Sequence, residues 1–219
     1  MKLTNGQTIL FTGDSITDCG RERPLGEGLG LGDGYVTQVN ALLEACYPQR
    51  RIRVLNTGIG GNRVTDLEVR WQADILDYQP DWLSIMIGII DVWRQFDGAN
   101  RPDQVDIARY ESTYRRLLEQ TRPQLSGGLI LMSPFFIEAN RADPMRAMMD
   151  EYSEVVAKLA SEFDAIFVDV QGAYDHYLTH RPTQSLCGDR LHPNQSGHML
   201  MARAFLTAVQ FKWHVKALR

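Results

Sequence analysis

No stretch of this chain is apolar for long enough to cross a bilayer as a helix. The strand-sized run Thr8 to Phe11 breaks at once into Gly13-Asp14, so it does not read as the apolar part of a signal peptide. Together these absences give the expectation of a cytoplasmic protein. Cysteine is scarce. Cys19, Cys46 and Cys187 are odd in number and lack metal-type spacing, which favours reduced thiols over a disulfide frame or a zinc site. Basic charge is not in excess either, and a formal net charge of -4 argues against a coat for nucleic acid or an anionic membrane. No internal repeat and no linker divides the chain. Its 219 residues read as a single domain, 1–219, long enough to bury a core without staples.

Within that domain, short β-rich runs alternate with longer amphipathic ones. Strands are expected at Thr8-Phe11, Ile52-Leu55, Trp82-Ile87, Gly128-Met132 and Ala165-Val170. They are nearly continuous in apolar residues, as parallel strands covered on both faces are. Helices are expected around Tyr35-Tyr47, Thr65-Tyr78, Ile107-Arg122, Pro144-Phe163 and Gln195-Phe211. In the fourth of these, Met145, Met148, Met149, Tyr152, Val155, Val156 and Leu159 recur at helical spacing, the mark of a packed face. Five strand-helix alternations predict a three-layer α/β/α sandwich around a five-stranded parallel sheet. Chemistry in such folds gathers in the loops after the strands. Glycines 20, 26, 28, 30, 32 and 34 mark the longest irregular stretch, which lacks the Gly-Lys-Ser/Thr ending of a phosphate cradle. It reads as an active-site rim, a subunit contact or a plain surface loop.

The residues that carry chemistry stand at those loops. Ser15 follows the first strand in Thr12-Gly13-Asp14-Ser15-Ile16-Thr17-Asp18, where a helix is expected to begin. The string is not the Gly-x-Ser-x-Gly elbow of lipases, because Thr17 stands where the second glycine would be. Far downstream, Asp189-Arg190-Leu191-His192-Pro193 offers a carboxylate and an imidazole on one loop. A serine hydroxyl needs a base to remove its proton, and an imidazole needs a carboxylate to hold its tautomer. Ser15, His192 and Asp189 are therefore the candidate nucleophile, base and orienting acid, although the last two also fit a surface pair opening the final helix. His198 falls inside that helix and reads as packing or capping. His176 and His180 lie at i and i+4, a zinc-compatible spacing without a third ligand nearby, so no metal is assigned. Asn56-Thr57-Gly58-Ile59-Gly60-Gly61-Asn62 follows the second strand. It is either a tight turn or an oxyanion hole in which the Gly61 and Ser15 amides meet the developing charge.

These strings resemble the SGNH (GDSL) hydrolase family along essentially the whole chain. Gly13-Asp14-Ser15 matches its first block, Asn56 through Asn62 its second, and Asp189-x-x-His192 its fifth. Longer runs are similar to the acetyl xylan esterase branch from bacilli: Thr12 through Arg21, Ser84-Ile85-Met86-Ile87-Gly88, Asp91-Val92-Trp93-Arg94-Gln95, Asp143-Pro144-Met145-Arg146 and Gly197-His198-Met199. The resemblance implies a flavodoxin-like sandwich and removal of O-acetyl groups from xylo-oligosaccharides through an acyl-serine, without a cofactor. It also implies a homo-oligomer and a sugar platform at Trp93, a residue that on sequence alone fits a core tryptophan equally well, and the absence of an export-signal pattern suits an enzyme that trims imported oligosaccharides inside the cell. Phe135, Phe136 and Tyr35 are further aromatics that could line the cleft.

One position departs from the family. Its third block reads Gly-x-Asn-Asp, with the asparagine as third oxyanion donor, whereas this chain has Gly88-Ile89-Ile90-Asp91. The alkyl group of Ile90 cannot donate a hydrogen bond, and loss of such a donor costs roughly 3 kcal/mol. A two-amide oxyanion hole is the expectation. Two other functions stay open on the residues: a broad short-chain esterase or thioesterase, and a catalytically silent carbohydrate-binding protein.

Overall fold

The computed structural model describes residues 1–98 and 104–213. Its sheet is built from β1 (Thr8–Gly13), β2 (Gly26–Glu27), β3 (Arg53–Asn56), β4 (Trp82–Met86), β5 (Gly128–Met132) and β6 (Ile166–Val168). The helices are α1 (Ser15–Asp18), α2 (Tyr35–Cys46), α3 (Val64–Asp74), α4 (Ile89–Trp93), α5 (Ile107–Thr121), α6 (Pro144–Glu162), α7 (Val170–Leu178) and α8 (Gln195–Ala208). The strand order is β2-β3-β1-β4-β5-β6, parallel throughout except for β2 against β3. The α/β sandwich is as expected, with six strands in place of five. The added strand lies in the glycine-rich stretch after Gly20. It is only two residues long and pairs Gly26 with Asn56 and Glu27 with Leu55, too short to leave a pattern in sequence.

Every residue of β4 and β5 is buried, and β1 is buried from its second residue onward. That explains their unbroken apolar character, since helices cover both faces. On one side Phe11 of β1 packs against the rings of Tyr35 of α2, edge to face, and Phe205 of α8, tilted, at centroid distances of 5.8 and 5.0 Å. The stripe on α6 packs as its spacing requires: Met149, Tyr152, Val155, Val156 and Leu159 are buried and Met145 and Met148 partly so. Side-chain caps start several of the helices. Asp143 accepts from the amides of Met145 and Arg146 with Pro144 at the first helical position, and Asn194 does the same for Ser196 and Gly197. Two helices lack a sequence expectation, α4 and α7, because five and nine residues give too few turns for a helical period.

β1 has β3 on one side and β4 on the other, so the chain leaves it in both directions across the sheet. A crevice opens at the carboxyl end of a strand where the winding reverses in this way. Ser15 lies there, two residues beyond the end of β1. No helix among the described residues is long and apolar enough to cross a membrane.

Candidate active site

Ser15 is the first residue of α1, whose N-cap is the buried Asp14. Oδ1 of Asp14 accepts from the Ile16 amide at 3.0 Å, which pins the turn that presents the serine. The short helix ends at Cys19 in the left-handed region, φ 42°. Although 177 residues apart in sequence, Ser15 Oγ and His192 Nε2 lie 3.1 Å from one another. His192 Nδ1 is 2.6 Å from Asp189 Oδ2. The second oxygen of Asp189 accepts from the amides of Leu191 and His192, at 3.0 and 2.8 Å. Burial pushes the Asp189 carboxyl up, but the hydrogen bonds from His192 and Leu191 outweigh it and leave it below its usual value. An ionised carboxylate at Nδ1 calls for a proton on that nitrogen, which leaves the Nε2 lone pair facing the hydroxyl. The three residues expected to act together are thus brought into one chain of hydrogen bonds. The site is open, with the Asp189 and His192 side chains 53% and 55% exposed.

The loop that carries Asp189 and His192 is held by a residue with no sequence signal of its own. Arg190 has φ 66°, and its guanidinium reaches Glu138 at 3.0 Å and Asp143 at 3.3 Å while lying 4.7 Å from the Phe136 ring centroid. Ile137 N–H donates to the Arg190 carbonyl at 3.0 Å. These contacts tie the segment between Asp189 and His192 to the loop after β5 and the start of α6.

The glycine loop after β3 passes directly beside Ser15. A Cβ on Gly60 would stand 3.8 Å from the Ser15 Cβ, and one on Gly58 would meet the Asp18 amide at 2.5 Å, so Gly58 admits no side chain. Gly61 has φ 78°, and among the described residues no acceptor is bonded to its amide. The loop is held from several sides. Asn56 Nδ2 donates to the Thr17 and Leu31 carbonyls, Ile59 N–H donates to the Gly13 carbonyl, and Gly60 N–H donates to Asp18 Oδ2 at 2.9 Å. Burial raises the Asp18 carboxyl, but Arg23 at 2.6 Å and the Gly60 amide reverse this and hold it low. Arg21, buried, donates from Nε to the Gly58 carbonyl at 2.7 Å.

Ile90 stands two residues after Gly88, whose φ is 129°, on α4 and is 7% exposed. It is buried yet stands apart from the contiguous apolar core. Its neighbour Asp91 is fully buried and accepts from the Val64 amide at 3.1 Å, anchoring the start of α3. Burial pushes both Asp91 and Asp14 up to about 7, and Asp91 also feels the charge of Asp14. Trp93 is 37% exposed, with the Arg94 guanidinium 5.8 Å from its ring centroid. Phe135, Phe136 and Tyr35 are buried.

His198 is buried. Its Nδ1 accepts from the Tyr35 amide at 3.2 Å and its Nε2 faces Cys19 Sγ at 3.6 Å, and burial, then the nearby His192, lower its pKa to about 4. It is a packed, neutral histidine. His176 and His180 meet edge to face with ring centroids 5.6 Å apart on and just beyond α7, and no cluster of three metal-ligating side chains occurs among the described residues.

Residues 11–200 match the GDSL-like Lipase/Acylhydrolase family. The chain is 50% identical over 216 residues to an acetylxylan esterase of Geobacillus stearothermophilus, covering 97% of this chain and 98% of that protein. The crystal structure of that bacterium's acetylxylan esterase Axe2 superposes with a TM-score of 0.96 at 49% identity, over 100% of both chains. A catalytic mutant of Axe2 with a serine replaced by alanine gives 0.95 at 50% identity over 97% and 98% of the two chains, and other catalytic mutants replace an aspartate or a histidine. LAE5, an alpha/beta hydrolase from the metagenome of Lake Arreo, superposes with a TM-score of 0.93 at 45% identity, over 96% of this chain and 98% of its own.

Proposed function

Because the chain belongs to the GDSL-like lipase/acylhydrolase family, we propose that it is a serine esterase that removes O-acetyl groups from xylo-oligosaccharides. It is a carboxylic ester hydrolase, and the observation that carries the reading is the 3.1 Å approach of Ser15 Oγ to a His192 already seated on Asp189. His192 Nε2 takes the hydroxyl proton as Ser15 Oγ attacks the acetyl carbonyl carbon. The carbonyl oxygen becomes an oxyanion between the amides of Ser15 and Gly61. Collapse of this intermediate breaks the bond to the sugar oxygen, and His192 returns the proton to that leaving group. A water, deprotonated by the same imidazole, then attacks the acetyl-serine, and as acetate leaves the imidazolium returns that proton to Ser15 Oγ. Asp189 stays ionised throughout and stabilises the imidazolium. No step calls for a cofactor.

The hole has two backbone donors because Ile90 supplies none. Loss of one donor of about 3 kcal/mol is small beside the 8 kcal/mol or more by which enzymes typically lower a barrier, so the remaining parts suffice for turnover. Trp93, partly exposed on α4, is the proposed platform for a sugar ring. We place the enzyme in the cytoplasm as a homo-oligomer acting on small acetylated carbohydrates, not on nucleic acid or a membrane. The negative net charge supports the exclusion of nucleic acid and of an anionic membrane.

Release of para-nitrophenol from its acetate, measured beside Ser15→Ala, tests the chemistry. Equal rates in the two proteins would leave only a binding role. Acetylated xylo-oligosaccharides compared with acyl-thioesters and longer acyl chains then test the substrate class, and a preference for thioesters would overturn it.

A further inference from the structure

Arg70, on α3, bridges the end of the strand before Ser15 and both ends of the glycine loop. Its side chain is only 13% exposed. Nη2 donates to the Gly13 carbonyl at 3.2 Å, two residues before Ser15. Nη1 donates to the Thr57 carbonyl at 2.7 Å, at one end of the loop after β3. Nε donates to Asn62 Oδ1 at 2.7 Å, at the other end and next to Gly61. Asp74, one turn further along α3, pairs with Nη1 at 2.8 Å and aims the fork. One planar cation therefore spans three points whose spacing fixes where the amides of Ser15 and Gly61 stand relative to each other.

We propose that Arg70 is a positioning residue for the oxyanion hole, an assignment that rests on the esterase reading above. Three donor directions set by a rigid guanidinium cannot be reproduced by the single ammonium of lysine. Where Ile90 contributes no side-chain donor, the two amides carry the whole oxyanion, and an error in their spacing has no third contact to absorb it. A shift of about 1 Å in such a site lowers turnover by roughly 100-fold.

The test measures kcat and KM with para-nitrophenyl acetate for wild type, Ser15→Ala, Arg70→Lys, Ile90→Asn and the Arg70→Lys/Ile90→Asn double variant. Thermal unfolding of each accompanies the kinetics. The expected result is a roughly 10- to 100-fold fall in kcat for Arg70→Lys with KM within about twofold, and a smaller fall when Asn stands at 90. Inhibition by a trifluoromethyl ketone, which presents an oxyanion to the hole, should weaken in step with kcat. Should Arg70→Lys fail to fold, Asn62→Ala removes one arm of the fork alone and should show the same pattern at lower amplitude. An unchanged kcat in a folded variant would overturn the assignment. So would a loss appearing in KM, or an equal loss in both backgrounds, which marks plain structural support. Wild-type turnover no greater than that of Ser15→Ala sinks the esterase reading and this one with it, whereas normal wild-type turnover with an indifferent Arg70 sinks this one alone.

Discussion

Asp189 grips His192 twice, accepting its backbone N–H at Oδ1 (2.8 Å) and standing 2.6 Å from its ring Nδ1 at Oδ2. The loop and the ring are therefore oriented by one carboxylate, and its two functions are separable by substitution. In Asp189→Asn, the side-chain oxygen can still accept from the loop amides, while an amide NH2 facing Nδ1 favours the wrong tautomer. We expect kcat to fall by roughly 10⁴-fold with the fold intact, as the corresponding change does in serine proteases. Steady-state kinetics beside circular dichroism decide it, and a loss below tenfold would remove Asp189 from the mechanism.

Ile90→Asn supplies a donor at the position where the family resemblance expects one. Only the charged intermediate benefits, so kcat should rise by up to about 100-fold with little movement in KM. Burial bears on stability too, since an unmet amide at a position 7% exposed costs about 1–3 kcal/mol. The variant should unfold at a lower temperature while working faster. No gain in kcat with a fast acetyl ester, in a folded variant, would show that the hole needs no third donor.

Asp14 and Asp91 give the stability of the fold a pH dependence with a definite sign. Burial raises both from the ordinary carboxyl range to about 7, against which the amides of Ile16 and Val64, the charge of His192 at Asp14 and that of Arg63 at Asp91 act only in part. The folded chain thus holds protons that the unfolded chain gives up above about pH 4. Their contribution is complete below that point and is lost as pH climbs through 7. Asp91→Asn keeps an oxygen for the Val64 amide without that titration. Relative to wild type it should gain several degrees of unfolding temperature between pH 5 and pH 8. A constant difference between the two proteins across that range would rule out a buried, proton-holding Asp91.

What the sequence discloses depends on whether a signal is local. Thr8 to Phe11 and Gly128 to Met132 are legible because buried parallel strands are uniformly apolar, and Gly128–Met132 matches to the residue. The edge strand Gly26–Glu27 is not legible, since its pairing with Asn56 and Leu55 is a tertiary event between glycine-rich and apolar partners. Ser15, Asp189 and His192 declare themselves by residue type and placement. The residues that hold them do not: Arg21, Arg70 and Arg190 are ordinary arginines until the fold shows which carbonyls and carboxylates they reach. Asp91 stands inside the recognised Asp91-to-Gln95 run, but its burial against the start of α3 has no counterpart in spacing.

Arg190 offers the last test, because its side chain and its backbone pull in opposite directions. The backbone sits at φ 66°, a conformation that glycine adopts without strain. The side chain, 44% exposed, reaches Glu138, Asp143 and the face of Phe136. Each exposed pair is worth at most about 1 kcal/mol, and relief of the backbone offsets part of that. Arg190→Gly should therefore unfold within a few degrees of wild type. The Asp189-to-His192 segment loses its side-chain ties to Glu138 and Asp143 and keeps only the backbone bond from Ile137, so Nε2 spends less time within reach of Ser15 Oγ. A fall of roughly 10-fold in kcat, with KM held, is the expected outcome. Arg190→Lys, which retains the charge but not the fork, should recover only part of it. If Arg190→Gly loses stability and keeps its turnover, Arg190 supports the fold and has no part in aiming the imidazole.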